Sequence, residues 1–292
     1  MTASADYQLS PEVLRLSNRR SYIELNARAR ATQLLDPGTF HELLGPFDRV
    51  ESPWLPLQGI VPQSDDGCVV AKGLIDGQPA VVIAMEGKFQ GGSIGEVCGM
   101  KMAMAFALAR QDNEKGIPTR AVLSLESGGV RLQEANIGEL VIAEIYAELV
   151  ALRKHIPVIV VIAGSTGCFG GMSLAAGLSS YVVMTRQARL SMNGPEVIEL
   201  EAGVEELDAS DKPFIWGYCG GAQRFAAGAA DVLVEDDAEE ITNAVKELFR
   251  KGQPAQLRSA KYERYIEFLS GLDTTRQWTA EEIRNAWKEG AK

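Results

Sequence analysis

The sequence predicts an α/β domain in which strands and helices alternate along the chain. Two glycine-rich loops are the main evidence, because each follows an apolar, β-branched run and precedes a segment with helical periodicity. Loop 1 (residues 124–134) continues from the predicted strand 120–125, and loop 2 (residues 164–173) follows the predicted strand 157–163. A third observation is the dipeptide Asp76-Gly77 between two apolar runs, which is a strong hairpin signal.

The elements are predicted in order from these patterns. A peripheral helix is expected from Val13 to Leu35, since Ser10 suits an N-cap, Pro11 suits the first helical position and Asp36-Pro37-Gly38 ends the run. The patterns then predict, in order, strands at 68–75 and 78–84, a helix at 96–110, a strand at 120–125, a helix at about 131–153, a strand at 157–163, a short helix at 171–178, paired strands at 181–186 and 189–192, a loop at 193–196, a strand at 231–234 and a helix at 238–250.

No linker or low-complexity stretch divides the 292 residues. We therefore expect a single domain over residues 1–292, with its core at about 50–250 and helical extensions at 10–45 and 253–292.

Composition argues against several classes of protein. The chain has two histidines, which leaves little material for a histidine triad or a metal site, and its four cysteines form no C-x-x-C pair. The net charge of −10 disfavours nucleic acid as a partner. No apolar run approaches the ~18 residues of a membrane span, and residues 1–6 lack a secretory pattern. We expect a cytoplasmic protein with no metal, membrane or nucleic-acid partner.

The two loops favour chemistry by backbone amides. Glycine lets N–H groups approach a ligand closely, and the first amides of a helix are unpaired and carry partial positive charge. Two such loops at neighbouring strand ends would direct several donors at developing negative charge. The sequence therefore indicates an enzyme that works through amides.

Three other motifs have a structural explanation. Gly91-Gly-Ser93-Ile-Gly95 matches the nucleophile elbow of serine hydrolases, but the one histidine that follows, His155, stands too early for that fold. Met100-Lys101-Met102 matches a biotin-attachment tripeptide, but it lies inside a predicted helix. Arg131 and Glu134 are spaced as an i,i+3 ion pair, which we interpret as a surface pair that positions loop 1.

An ordered set of segments resembles the N-terminal-type carboxyltransferase domain of biotin-dependent carboxylases, in the crotonase superfamily. The set comprises 127–134 (SGGVRLQE) and 164–171 (GSTGCFGG), with flanking matches at 26–40, 91–95 and 192–198. The resemblance implies a ClpP/crotonase-type spiral of ββα units, with both loops at the same end of adjacent parallel strands. Within the group, the chain most resembles β subunits of biotin-independent malonate decarboxylases, because acetyl-CoA carboxylase β subunits usually carry a four-cysteine zinc ribbon that is not seen here. The carboxyltransferase β subunit of acetyl-CoA carboxylase, or of a related acyl-CoA carboxylase, is the alternative.

The resemblance also implies a mechanism. In that family a malonyl group is carried as a thioester on the phosphopantetheine-like arm of an acyl-carrier protein, to which a transferase α subunit attaches it. The β and γ subunits remove CO2 through an enolate, and no cofactor is bound covalently to the β subunit. Carried over by motif position, the oxyanion donors are the amides of Gly128, Gly129, Val130, Gly170 and Gly171, with Arg131 and Glu134 in support. A serine hydrolase that uses Ser93 and a non-catalytic scaffold of the same fold are the competing hypotheses.

Overall fold

A seven-stranded sheet forms the centre of the protein in the computed structural model, which describes residues 10–134, 136–273, 275–276 and 278–289. The described strands are, in chain order, β1 (His41–Leu43), β2 (Cys68–Ile75), β3 (Gln78–Met85), β4 (Ser93–Ile94), β5 (Arg120–Leu125), β6 (Gly129–Val130), β7 (Val158–Ile162), β8 (Tyr181–Thr185) and β9 (Val232–Val234). The order across the main sheet is β1-β2-β3-β5-β7-β8-β9, and β4 pairs with β6 in a separate two-stranded sheet.

The pairing follows the local sequence. Strands β2 and β3 form an antiparallel hairpin whose turn residues, Asp76 and Gly77, both have positive φ (55° and 73°), as a type I′ turn requires. From β3 to β9 the neighbours in the main sheet are parallel, and the connections between them contain helices. The hairpin and the repeated strand–helix units that the sequence predicted are both confirmed.

Helices cover both faces of the sheet. The described helices are α1 (Pro11–Ser17), α2 (Ala27–Leu34), α3 (Glu96–Glu114), α4 (Asn136–Leu152), α5 (Gly171–Leu178), α6 (Pro195–Ala202), α7 (Lys212–Cys219), α8 (Gly221–Ala226), α9 (Ala238–Lys251), α10 (Tyr262–Ser270) and α11 (Ala280–Glu289). One apolar core lies under α3, α4 and α5, and a second lies on the opposite face under α2 and α9. Among the described residues no helix is both long enough and apolar enough to span a membrane.

The prediction of one continuous N-terminal helix was wrong, because the structure has two helices, α1 and α2, with an irregular segment between them. The break is stabilised from far along the chain, because the Tyr22 and Ile23 amides donate to the Asp236 carboxylate at 2.8 and 3.0 Å. Asn26 then caps α2 by accepting from the Ala29 amide at 2.9 Å. The first nine residues, on which the expectation about a secretory signal rests, lie outside the described residues.

Three further boundaries differ from the prediction. Residues 189–192 form no strand beside β8; Leu190 instead makes an isolated bridge with Cys168 of loop 2. The loop predicted at 193–196 contains the start of α6, which Pro195 begins as the first helical residue. Helix α4 starts at Asn136 because residues 132–134 form a 3₁₀ turn.

Candidate active site

The two glycine loops meet at one edge of the sheet. Because β5 and β7 are adjacent and parallel, loops 1 and 2 leave the sheet at the same end. Backbone hydrogen bonds then join them, from the Ser127 amide to the Gly167 carbonyl and from the Phe169 amide to the Ser127 carbonyl, each 2.8 Å long. The sequence prediction that both loops lie together is confirmed.

The loops touch at Gly129 and Gly170, and this contact requires glycine. A Cβ atom placed on Gly170 would lie 2.9 Å from the Gly129 Cα, closer than real Cβ atoms tolerate easily. Both residues also have positive φ, 119° at Gly129 and 57° at Gly170. Glycine therefore allows the two backbones to come into direct contact.

Three of the five amides singled out from the sequence already donate hydrogen bonds. The Gly128 amide donates to the Gly91 carbonyl at 2.9 Å, and the Gly129 amide to the Ser127 Oγ at 3.2 Å. The Gly170 amide donates to the Met192 carbonyl at 2.7 Å. These bonds fix the shape of the loops.

The amides of Val130 and Gly171 have no such partner within the described part of the chain. The Arg131 amide donates to the Ile94 carbonyl of β4, so the preceding Val130 amide points away from that strand. Gly171 is the first residue of α5, where helix geometry leaves the N–H without an intrahelical acceptor. The arrangement places one free donor next to each of the two touching glycines.

A buried ion network lies directly behind loop 1. The Arg131 guanidinium contacts the Asp66 carboxylate at 2.8 Å and the Glu134 carboxylate at 3.1 Å, and all three side chains are fully buried. Burial raises the pKa of Asp66, and the Arg131 charge opposes that rise. The expected pairing of Arg131 with Glu134 is present, but the prediction that it is a surface pair was wrong. Sequence reasoning missed Asp66, which stands 65 residues before Arg131.

The network also holds the elements around loop 1. The Glu134 carboxylate accepts from the Glu96 amide at the start of α3 and from the Ser52 hydroxyl at 2.6 Å. The Asp66 carboxylate accepts from the Cys98 amide at 3.1 Å. Loop 1 is thus fixed to the N-terminus of α3 immediately beside Val130.

Tyr146 supports loop 2 in a comparable way. Its hydroxyl, on α4, donates to the Gly171 carbonyl, and burial raises the pKa of the phenol to about 12. The phenol therefore stays neutral and remains a donor at physiological pH. No pattern in the sequence distinguished this tyrosine from other residues of the helix.

Ser93 and Lys101 do not have the surroundings that their motifs would need. The Ser93 hydroxyl accepts from the Arg131 Nε at 3.2 Å, and a guanidinium cannot act as its general base. The Lys101 ammonium is buried and donates to three backbone carbonyls, which leaves it inaccessible to biotin attachment.

Side chains that could bind a metal are not grouped at the site. The described residues contain no cluster of three or more His, Cys, Asp or Glu arranged to hold an ion. Cys168 lies within loop 2, but it is buried and burial raises the pKa of its thiol, which disfavours the reactive thiolate. The chemistry that the site offers is hydrogen-bond donation from fixed backbone amides.

Comparisons with known proteins agree on one family. A family model described as the carboxyl transferase domain matches residues 23–256. The malonyl-S-ACP:biotin-protein carboxyltransferase MADC of Malonomonas rubra is 41% identical over 239 residues, which are 77% of this chain and 75% of that protein. The methylmalonyl-CoA carboxyltransferase 12S subunit of Propionibacterium freudenreichii is 29% identical, and this chain spans 41% of its length.

Solved structures give the same result. A chain of a Pseudomonas malonate decarboxylase hetero-tetramer in complex with malonate is 58% identical and has a TM-score of 0.92, with 94% of this chain and 99% of that chain covered. A chain of the Pseudomonas MdcD-MdcE hetero-dimer is 52% identical with a TM-score of 0.74, over 87% of this chain and 98% of that chain.

Proposed function

This chain belongs to the carboxyl transferase domain family and has its crotonase-type fold, and from that premise we propose that it is the β subunit of a malonate decarboxylase. With a γ subunit, it converts a malonyl thioester on an acyl-carrier protein, with uptake of one proton, into the acetyl thioester and CO2, which is a lyase reaction. The identity of 58% to the Pseudomonas malonate decarboxylase chain supports this choice.

The observation that carries the proposal is the pair of free amides at Val130 and Gly171 beside the contact between the loops. When the carbon–carbon bond to the carboxylate breaks, its electron pair passes into an enolate and negative charge collects on the thioester oxygen. Donors fixed in advance stabilise this charge without reorganisation, and one such donor is worth about 2.7–4 kcal/mol in a measured oxyanion hole. In this proposal the enolate oxygen accepts from both amides.

The other residues of the site hold these donors in place. Arg131, with Asp66 and Glu134, anchors the end of β6 next to Val130. Tyr146 binds the carbonyl of Gly171 and so holds the residue whose amide is the second donor. The negative charge that moves from the carboxylate to the thioester oxygen is bound there by neutral amides, so no titrating side chain of this chain is needed at the oxyanion.

Partner subunits complete the proposed enzyme. We assign a γ subunit, an acyl-carrier protein with a phosphopantetheine-like arm, and a transferase α subunit as partners, with no cofactor bound covalently to this chain. Exposed apolar side chains next to loop 2 support a subunit contact there: Leu174 is 49% exposed and Met192 53%. The cytoplasmic location expected from composition belongs to the same proposal.

Carboxyl transfer is the second candidate function. The Malonomonas rubra relative is named as a carboxyltransferase from malonyl-S-ACP to a biotin protein, and the same enolate would serve that reaction. In that case the CO2 unit passes to biotin on another protein. The acetyl-CoA carboxylase alternative would run such a transfer in the opposite direction, from carboxybiotin to an acyl thioester.

Release of CO2 by the purified β–γ complex tests the proposal. The substrate is malonyl-carrier protein labelled in the free carboxylate, and avidin is added to one of two parallel reactions to sequester any biotin. We expect equal release of labelled CO2 with and without avidin. Release that depends on an added biotin protein and stops with avidin would support the carboxyl-transfer function instead.

A further inference from the structure

A second buried ion pair lies between the two loops and outside the chemistry described so far. Glu126 follows β5 directly and is 5% exposed. Its carboxylate accepts from the Arg30 guanidinium on one oxygen, and the other oxygen accepts from the Thr166 amide of loop 2 at 3.1 Å. One side chain of loop 1 thus contacts loop 2 and a distant helix at the same time.

Arg30 reaches this position from α2, which packs on the face of the sheet opposite to α3, α4 and α5. It is 3% exposed, and its other donors bind the carbonyls of Ile23 at 2.9 Å and Tyr22 at 3.3 Å. These carbonyls lie in the irregular segment between α1 and α2. These two bonds hold the guanidinium in place independently of the Glu126 carboxylate.

The surrounding backbone makes room for this carboxyl group. A Cβ atom on Gly87 would lie 2.4 Å from the Glu126 Cγ, and one on Gly164 would lie 2.2 Å from its Cδ. On the other side of loop 2, Arg189 donates to the Ser165 and Thr166 carbonyls at 3.1 and 3.2 Å. The 165–166 peptide is held between Glu126 and Arg189.

We propose that Glu126 is a positioning residue that sets the separation of loops 1 and 2 by joining Arg30 to the Thr166 amide. Loop 1 continues from Glu126 to Val130, and loop 2 continues from Thr166 to Gly171, so this clamp fixes the relative position of the two proposed donors. The inference rests on the proposed function for its catalytic consequence. It assigns a role to two residues that the catalytic proposal does not use.

The role depends on a carboxylate with two acceptor oxygens. In Glu126→Gln the side chain keeps its size, but one of its two oxygens becomes an NH2 group. That group faces either the Arg30 guanidinium or the Thr166 amide, which are both donors, so one of the two bonds is lost. A displacement of about 1 Å in a reacting geometry costs about 100-fold in rate. We expect Glu126→Gln to lower kcat of the β–γ complex by about that factor, with KM changed little, because the enolate charge exists only near the transition state.

A matched control separates positioning from loss of stability. Val245→Ala removes buried apolar contacts of α9 and lies outside the loops. The assay temperature is chosen so that both variants are fully folded by circular dichroism. If Val245→Ala and Glu126→Gln have the same kcat at that temperature, Glu126 is only a structural residue and the proposal is overturned.

A double variant covers the case in which Glu126→Gln does not fold. Arg30→Met with Glu126→Leu replaces both charges by apolar groups, a change that is often neutral or stabilising for a buried pair. We expect a recovered melting temperature with a kcat still about 100-fold low, since the contact to Thr166 is lost. Recovery of both quantities would contradict the positioning role.

Amide hydrogen exchange on the chain without its partners gives a test that does not depend on turnover. Glu126→Gln should speed exchange in peptides covering loops 1 and 2 and leave peptides from α9 unchanged. Unchanged loop peptides would overturn the clamp even if the complex were active. If the wild-type complex released no CO2 while the loop peptides responded, the proposed function would fail and the clamp would stand.

Discussion

At the scale of single residues, hydrogen-bond occupancy distinguishes the amides of the two loops. The amides of Gly128, Gly129 and Gly170 already have acceptors, so each would have to break a bond before it could bind an enolate oxygen. The amides of Val130 and Gly171 have no acceptor among the described residues, so they could bind the oxygen without breaking a bond. A free donor that is fixed in advance is the form of electrostatic stabilisation that gives the largest effect on rate.

Ser93→Ala tests the competing hydrolase hypothesis at this scale. The substitution removes one hydrogen bond from Arg131, which keeps its contacts with Asp66 and Glu134. We expect kcat of the complex to stay within a few-fold of wild type. A fluorophosphonate probe should leave Ser93 unlabelled. Loss of turnover together with labelling of Ser93 would favour the hydrolase.

At the scale of elements, α2 connects the N-terminal segment to loops 1 and 2. Its buried face belongs to the core under α9, and Arg30 extends from it to Glu126. The N-cap of this helix therefore affects more than local helicity.

Asn26→Ala should lower the free energy of unfolding by about 1 kcal/mol, because the Ala29 amide loses its acceptor. Urea denaturation of the chain measures this change. Ser10→Ala is the control, since Ser10 makes the equivalent bond to the Val13 amide on exposed α1. We expect a smaller effect there, because exposed terminal helices open without global unfolding. Equal effects would show that α2 is no more coupled to the core than α1.

The elements that could be predicted from sequence are those whose signals are local. A few neighbouring residues are enough to encode each of these: the turn Asp76-Gly77, the apolar runs of β5 and β7, and the small-residue helix α5. The break between α1 and α2 could not be predicted, because it is stabilised by Asp236, more than 200 residues away.

The same limit applies to the site. The pattern of glycines located both loops, but the acceptors that occupy three of the amides include Gly91 and Met192, which the fold brings to the loops. The buried network depends on Asp66, which lies in none of the matched segments. The Glu126 clamp depends on Arg30, which lies in the matched segment 26–40 but has no role that its local sequence reveals. Only the assembled structure distinguishes free amides from occupied ones.

At the scale of the whole molecule, the site lies beside apolar surface that is uncovered in the single chain. Leu174 on α5 and Met192 flank loop 2, and the Ser173 hydroxyl lies 3.7 Å from the Met192 sulfur. Water in such an open site would weaken every electrostatic interaction that stabilises the enolate. A partner subunit that covers this surface would exclude the water.

The chain by itself should therefore release no CO2 from malonyl-carrier protein above the uncatalysed rate. Adding the purified γ subunit should restore release, with a titration end point at the stoichiometry of the complex. Full activity of the isolated chain would show that the partner is not required for the site.

The most direct test of the central claim compares Gly171→Pro with Gly171→Ala in the β–γ complex. Both variants add the same Cβ atom, which would meet the flexible Ile142 side chain at 2.9 Å and the Tyr146 hydroxyl at 3.1 Å. Proline removes the N–H, and it is tolerated at the first residue of a helix, where Gly171 stands. Gly170 is less suitable, because any side chain there would collide with the Gly129 backbone.

The measurement is the ratio of kcat between these two variants, with circular dichroism to show that both are folded. If the Gly171 amide stabilises the enolate, kcat of Gly171→Pro should be about 10²–10³-fold below that of Gly171→Ala, with a similar KM. Equal kcat values in two folded variants would contradict the account, because the amide would then have no part in the reaction.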